Sequence, residues 1–251
     1  MRKLLIGAAV LAVAAVPAIA FAQNPAPVVA NDVSITPSKA GTTKKPKAAK
    51  FTFKVTNSPE SKSTVKQIVL DLPKGVKLSG NKLTSCTADD LINNGSCPSA
   101  SKLGTGISYA FLVSPAAPPD CVGTKGAAAG CLTFNTTFYV GGKNALTVAL
   151  ESGGTSFSPL TGKITKSGRK LTINIPPSLQ SPAPGNYSAL SQLSGSFSRS
   201  KTVKGKKYSF VSTTSCPSSK KWTVKSTLGY AANTAPAPAP KSATDDVKCS
   251  K

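Results

Sequence analysis

Apolar and polar residues alternate one by one along much of the chain. Between Lys50 and Thr56, Phe51, Phe53 and Val55 fall on one side and Thr52, Lys54 and Thr56 on the other. Successive strand side chains point to opposite faces, so this spacing predicts a strand with one face buried. Val33 and Ile35 suit an earlier strand, and the alternation returns at Ile68, Leu70 and Leu72. Pro73–Gly75 then turns the chain before a short piece at Val76 and Leu78. Leu132, Phe134, Thr136, Phe138 and Val140 share the next long face. Gly141–Asn144 reads as its turn, and Leu146, Val148 and Leu150 return it as a hairpin. Leu160–Thr165 pairs likewise with Leu171, Ile173 and Ile175 across Ser167-Gly168. Pro176-Pro177 closes that strand, and Ser178–Gly185 reads as a proline-punctuated connection. Leu193 with Phe197 and Tyr208 with Phe210 seed two further strands, with Lys204–Lys207 as the turn between them. Trp222, Val224, Ser226, Leu228 and Tyr230 lie on one face of what the pattern makes the last long strand.

The alternation breaks between Ser85 and Gly106. Thr87 suits a helix N-cap, and Asp90 stands where a capping box needs an acceptor. Asp89 and Asp90 favour the positive end of a helix dipole, Leu91 and Ile92 supply an apolar side, and Asn94-Gly95 stops the turn. Gly104 and Gly106 mark a bulge or a close backbone approach in the strand that follows, through Ile107, Tyr109 and Phe111. About ten strands with almost no helix predict an all-β antiparallel sandwich, Ig-like or jelly-roll-like, carrying one short disulfide-stapled helical turn.

The ends and the cysteines set the compartment. Arg2 and Lys3, the apolar run Leu4–Ile19 and the small-x-small triplet Ala20-Phe21-Ala22 predict a secretory signal peptide over residues 1–22. Residues 23–48 read as an extended lead-in with the first strand, and 49–251 as the β-sandwich domain. No later stretch is apolar enough to span a bilayer, so no transmembrane segment is expected after cleavage. Cys86, Cys97, Cys121, Cys131, Cys216 and Cys249 are even in number, which in an exported chain favours disulfides over metal ligation. Many pairings are open to them; the sequential one is the simplest. Thr234–Pro240 then reads as a loop tied back through Cys249 to Cys216.

Composition narrows the chemistry. The chain has no histidine, so a histidine-based triad is excluded, and no zinc-type ligand spacing is present. Its carboxylates are Asp32, Glu60, Asp71, Asp89, Asp90, Asp120, Glu151, Asp245 and Asp246. A carboxylate hydrolase would need two of them to meet in space. With the cysteines oxidised no thiol nucleophile remains, and no catalytic residue, cofactor or metal is expected. The formal net charge of +22 rests almost wholly on lysine, a hydrated point charge suited to diffuse attraction. That charge points to anionic cell-wall polymer or polysaccharide as partner, and to no specific nucleic acid. Trp222, Tyr208 and Tyr230 are the candidate ligand contacts if the protein is instead a carbohydrate-binding module. The bland alternative is core packing, since Trp222 lies in phase with its strand and close to Cys216.

Three segments together carry a resemblance: Ser85–Gly106, with its C-P-x-x-S-x-x-G-x-G ending; P-P-S-L-Q-S-P-A-P-G-N-Y at 176–187; and S-C-P-S-S-K-K-W-T-V at 215–224. The chain from about Asp71 to Cys249 resembles a group of exported, disulfide-containing β-sandwich proteins of high-GC Gram-positive bacteria. The resemblance implies a fold and an extracytoplasmic address, and no reaction. It also implies a Cys216–Cys249 bond, whereas Cys121 with Cys131 is less typical of the group. The resulting expectation is a secreted or envelope-associated, non-catalytic protein with a structural or adhesive role at anionic surfaces.

Overall fold

The computed structural model describes residues 25–113, 121–122, 130–182, 185–232 and 237–251. The leader read at 1–22, most of the Ser114–Gly130 excursion including Asp120, and the first three residues of Thr234–Pro240 lie outside the described residues. In chain order the elements are β1 (Val29–Thr36), β2 (Lys47–Ala48), β3 (Lys50–Asn57), β4 (Val65–Asp71) and β5 (Val76–Leu78). Then come α1 (Ala88–Asn94), β6 (Lys102–Val113), β7 (Cys131–Gly142), β8 (Ala145–Ser152), β9 (Thr155–Thr165) and β10 (Lys170–Asn174). The last are α2 (Pro177–Gln180), β11 (Tyr187–Phe197), β12 (Ser200–Val203), β13 (Lys206–Ser209), β14 (Val211–Thr213), β15 (Lys221–Tyr230) and β16 (Lys241–Lys248).

Eleven strands form one sheet in the order β1-β3-β11-β6-β7-β8-β9-β10-β4-β15-β16. Every named pairing in it is antiparallel. The sheet curls until its edges approach each other, with β1 lying against β16. Side chains bridge that seam: Asp245 Oδ2 accepts from the Val33 amide at 2.6 Å, and Asn31 Nδ2 donates to Val224 O at 3.3 Å. A parallel bridge between Lys39 and Ser250 continues the seam past the strands. Blocking an edge in this way leaves fewer bare backbone groups for another chain to pair with. A small sheet, β2-β14-β5, and a ribbon, β12-β13, are added outside it.

The alternating residues meet inside the curl. Phe51, Phe53, Phe138, Phe197 and Phe210 fill one half, with ring centroids 5.0–6.0 Å apart. Offset and edge-on rings at such spacing contribute beyond the area they bury. Gly195 belongs to this packing, because a Cβ there would stand 2.4 Å from the Phe138 ring. Three disulfides join Cys86–Cys97, Cys121–Cys131 and Cys216–Cys249, the sequential pairing.

The helical turn forms where its caps predict. The Asp90 amide donates to Thr87 Oγ1 at 3.1 Å and the Thr87 amide donates to Asp90 Oδ2 at 2.8 Å, a closed capping box. Gly95 ends α1 in the left-handed region, at φ 68°. Yet α1 buries none of its residues, and Ile92 is 62% exposed. Bonds from Thr87 hold the Asp90 carboxyl below its ordinary value. A group with a depressed value stabilises the fold above its unfolded value and loses that contribution as pH falls through the folded one. The capping box will therefore hold at neutral pH and open in acid. Amide-exchange protection at Asp90 should fall below the carboxylate range in wild type, and Asp90→Asn should flatten that dependence.

Several elements depart from the alternation reading. The chain does not end its strands at Tyr230: β16 follows, although its residues are mostly polar. The Lys204 turn joins β12 to β13, a ribbon outside the core, and not the two apolar strands expected to flank it. Lys204 and Gly205, at φ 49° and 73°, make the two-residue turn whose twist suits a hairpin. Within the connection after Pro176, Pro177–Gln180 closes a single helical turn.

Candidate functional site

Antiparallel register collects strand termini at two opposite ends, and the cations gather at one of them. There Thr36 faces Lys50, Lys102 faces Tyr139, Ala145 faces Lys163, Lys170 faces both Thr165 and Asp71, and Lys221 faces Lys248. The turns on that end add Lys143 after β7, Lys166 and Arg169 after β9, and Lys74 after β4. The loop from Lys39 to Lys47 and the β12-β13 ribbon, with Lys201, Lys204, Lys206 and Lys207, project from the same end. Among the described residues the opposite end carries Lys62, Lys66 and Lys241, offset by Glu60 and Glu151. Local acids answer little of the charge: Lys166 lies 3.9 Å from Asp71 and Lys221 3.1 Å from Asp246. The Thr223 hydroxyl and then Lys221 hold the Asp246 carboxyl below its ordinary value, so it stays ionised beside them.

Lys166 and Lys204 occupy strained backbone, as do Lys82, whose turn bonds to Lys143 O through the Gly80 amide, and Lys220, whose carbonyl accepts from the Cys249 amide at the same end. Lys82, Lys166, Lys204 and Lys220 have φ of 64°, 50°, 49° and 54°, and all four are exposed. A Cβ in the left-handed region costs roughly 1 kcal/mol, which glycine avoids. The penalty is accepted at exposed turns, where the side chain meets solvent. One lysine at the other end, Lys62, shares the geometry at φ 49°.

The candidate ligand-contact aromatics are not assembled on one open face. Trp222 is fully buried and its indole N–H donates to Ser215 O at 2.9 Å. Tyr230 is buried too; its hydroxyl donates to Asn57 Oδ1 at 2.9 Å, and Asn57 Nδ2 donates on to Leu190 O at 3.0 Å. Burial pushes the Tyr230 phenol up, keeping it a neutral donor. Tyr208 is half-exposed on the ribbon, where Lys206 Nζ lies 5.6 Å from its ring centroid. The acids are dispersed: Asp32 pairs with Lys54 at 3.3 Å, Asp245 serves the seam, and Asp89 and Asp90 begin α1. Among the described residues no group of three or more His, Cys, Asp or Glu side chains is placed to hold a metal ion, and no helix is long and apolar enough to cross a membrane.

Sequence reasoning missed the polarity of the charge, the strained lysines and the Asn57 link. The Lys-Gly pair at 204–205 was a local signal for one strained turn; Lys166 and Lys220 had none. Comparison with protein-family models, with curated proteins and with solved structures finds no match for this chain.

Proposed function

We propose that the protein is a secreted, non-catalytic component of the bacterial cell envelope that docks its lysine-rich end onto an anionic wall polymer. It would do so on a scaffold of the sandwich type, in keeping with the exported Gram-positive proteins it resembles. The observation that carries this reading is the gathering of cations at one end by strand register, with lysine kept at exposed turns where backbone geometry favours glycine. The signal-like leader and three disulfides support an oxidising, extracytoplasmic setting. Lysine's compact, hydrated charge suits repeated weak contacts with phosphate or carboxylate along a polymer better than recognition of a single group.

The strained turns supply a test in which stability and binding move in opposite directions. Lys166→Gly, Lys204→Gly and Lys220→Gly should each relieve backbone strain and raise stability by up to about 1 kcal/mol. Each should also weaken binding to linear polyphosphate about fivefold at low ionic strength, the effect of one basic side chain near an anionic surface. Lys62→Gly, at the opposite end, should lose no affinity. Equilibrium binding across a salt series, paired with thermal unfolding, reads both. Polyphosphate binding that survives the triple variant unchanged, or its absence from wild type even at low salt, would remove the proposal.

A further inference from the structure

The interior of the nearly closed sheet is filled unevenly. The phenylalanine cluster packs the half beneath the cationic end. The opposite half is walled mostly by aliphatic side chains, including Val65, Ile68, Ala110, Leu160 and Leu190, together with the Phe134 and Phe138 rings, and holds a partly open cavity of about 80 Å³. Its lining is apolar apart from Ser108 and Ser188. A polar molecule entering would leave its hydrogen bonds behind, while an apolar one would leave nothing unsatisfied. At one side the wall is not a strand but α2, whose Leu179 lines the cavity.

α2 is lightly held. It is a single turn entered through Pro176-Pro177 and followed by Pro182. The Ser188 hydroxyl donates to Leu179 O, Gln180 Nε2 donates to Ile175 O at 2.6 Å, and the Ser181 hydroxyl at the C-cap donates to Asn186 O at 2.9 Å. Swinging this turn outward breaks few bonds and widens the cavity's opening to solvent. As it stands the cavity is smaller than the roughly 150 Å³ that admits a benzene ring, so a larger occupant must displace Leu179.

We propose that this cavity receives the end of a single aliphatic chain, passing beneath α2 with its polar head left outside. The walls offer such a chain apolar contact and ask no hydrogen bond of it. Its length lets the head remain in water beyond the cover, which a compact apolar solute has no need of. The site lies at the end opposite the main lysine cluster and does not depend on polymer binding.

Titrating the disulfide-bonded protein with decanoate and with decanol, both below the concentrations at which they aggregate, tests this by calorimetric melting. A ligand of the folded state raises the melting temperature with its concentration. Both compounds should do so, with affinities within a few-fold of each other, because the chain and not the head is recognised. Ala110→Leu should raise the melting temperature of the free protein and weaken both ligands at least tenfold. Leu179→Ala should melt lower alone and bind at least as tightly as wild type. Should Ala110→Leu not fold, Leu160→Phe takes its place as the filling variant. The inference is overturned by no shift with either compound in wild type and Leu179→Ala, by a shift with decanoate alone, or by binding that a folded, cavity-filled variant leaves untouched.

Discussion

Trp222→Ala will cost the fold about 3–5 kcal/mol, as truncation of a fully buried aromatic does. The ring has no solvent exposure, and it sits on β15 between β4 and β16, where the seam of the sheet is secured. Alanine removes the packed surface and also strands the Ser215 carbonyl, which accepts from the indole N–H at 2.9 Å. Trp222→Phe separates the two losses. It keeps most of the apolar contact, gives up the hydrogen bond and should be milder, by an amount that reports the bond. Urea unfolding with an unchanged denaturant slope is the measurement, since a changed slope would mean the native or unfolded ensemble had altered. The same series decides the sugar-platform reading of this residue. A ligand-contact tryptophan can be truncated with little loss of stability and a large loss of glycan affinity, the reverse of the result expected here. A Trp222→Ala protein as stable as wild type would contradict the buried placement.

Removing the Cys216–Cys249 bond should have an effect of comparable size. It closes a sequence separation of 33 residues, and in the chain-entropy treatment a loop of that length contributes about 4 kcal/mol. The consequence in the folded state is specific. β16 is an edge strand with no buried side chain, tied by its ladder to β15 and by Asp245 to the Val33 amide. With the bond lost, Cys216→Ser/Cys249→Ser should show rapid amide exchange first along β16 and at Val33, while the β6–β8 ladders hold. Cys86→Ser/Cys97→Ser closes a shorter loop around a helix that buries nothing, so its loss should be about 3 kcal/mol at most and confined to α1. Equal and global loss of protection in both double variants would refute the picture of a seam held locally by the longer disulfide.

Where a strand has one wet face and one packed face, its residues announce it. Phe51, Phe53 and Val55, or Leu146, Val148 and Leu150, are apolar because their positions are internal, and period-two spacing follows from strand geometry alone. β16 lacked that announcement. Its sequence, K-S-A-T-D-D-V-K, alternates between exposed and half-exposed positions only, and its existence depends on a partner far back in the chain. β2 and β14, two and three residues long, pair only with each other and with β5, which leaves no period to read in them, whereas β5 shows its alternation at Val76 and Leu78. The capping box of α1 was legible because both of its partners lie within four residues of each other. The burial of α1 was not, since Leu91 and Ile92 look like a packed face until the sheet they lie upon is known.

The candidate site divides along the same line. The amount and kind of charge are properties of composition, and lysine predominance already implied diffuse attraction. Its confinement to one end arises only when antiparallel pairing brings Lys50, Lys102, Lys163, Lys170 and Lys248 to the same side. The alternation along the chain, its caps, turns and even cysteine count were determined locally, by the conformational preferences of near neighbours. The curl of the sheet, the seam through Asp245, the burial of Trp222 and Tyr230, the cavity beneath α2 and the cationic end were decided by contacts between residues distant in sequence. No window of neighbouring residues contains both partners of such a contact.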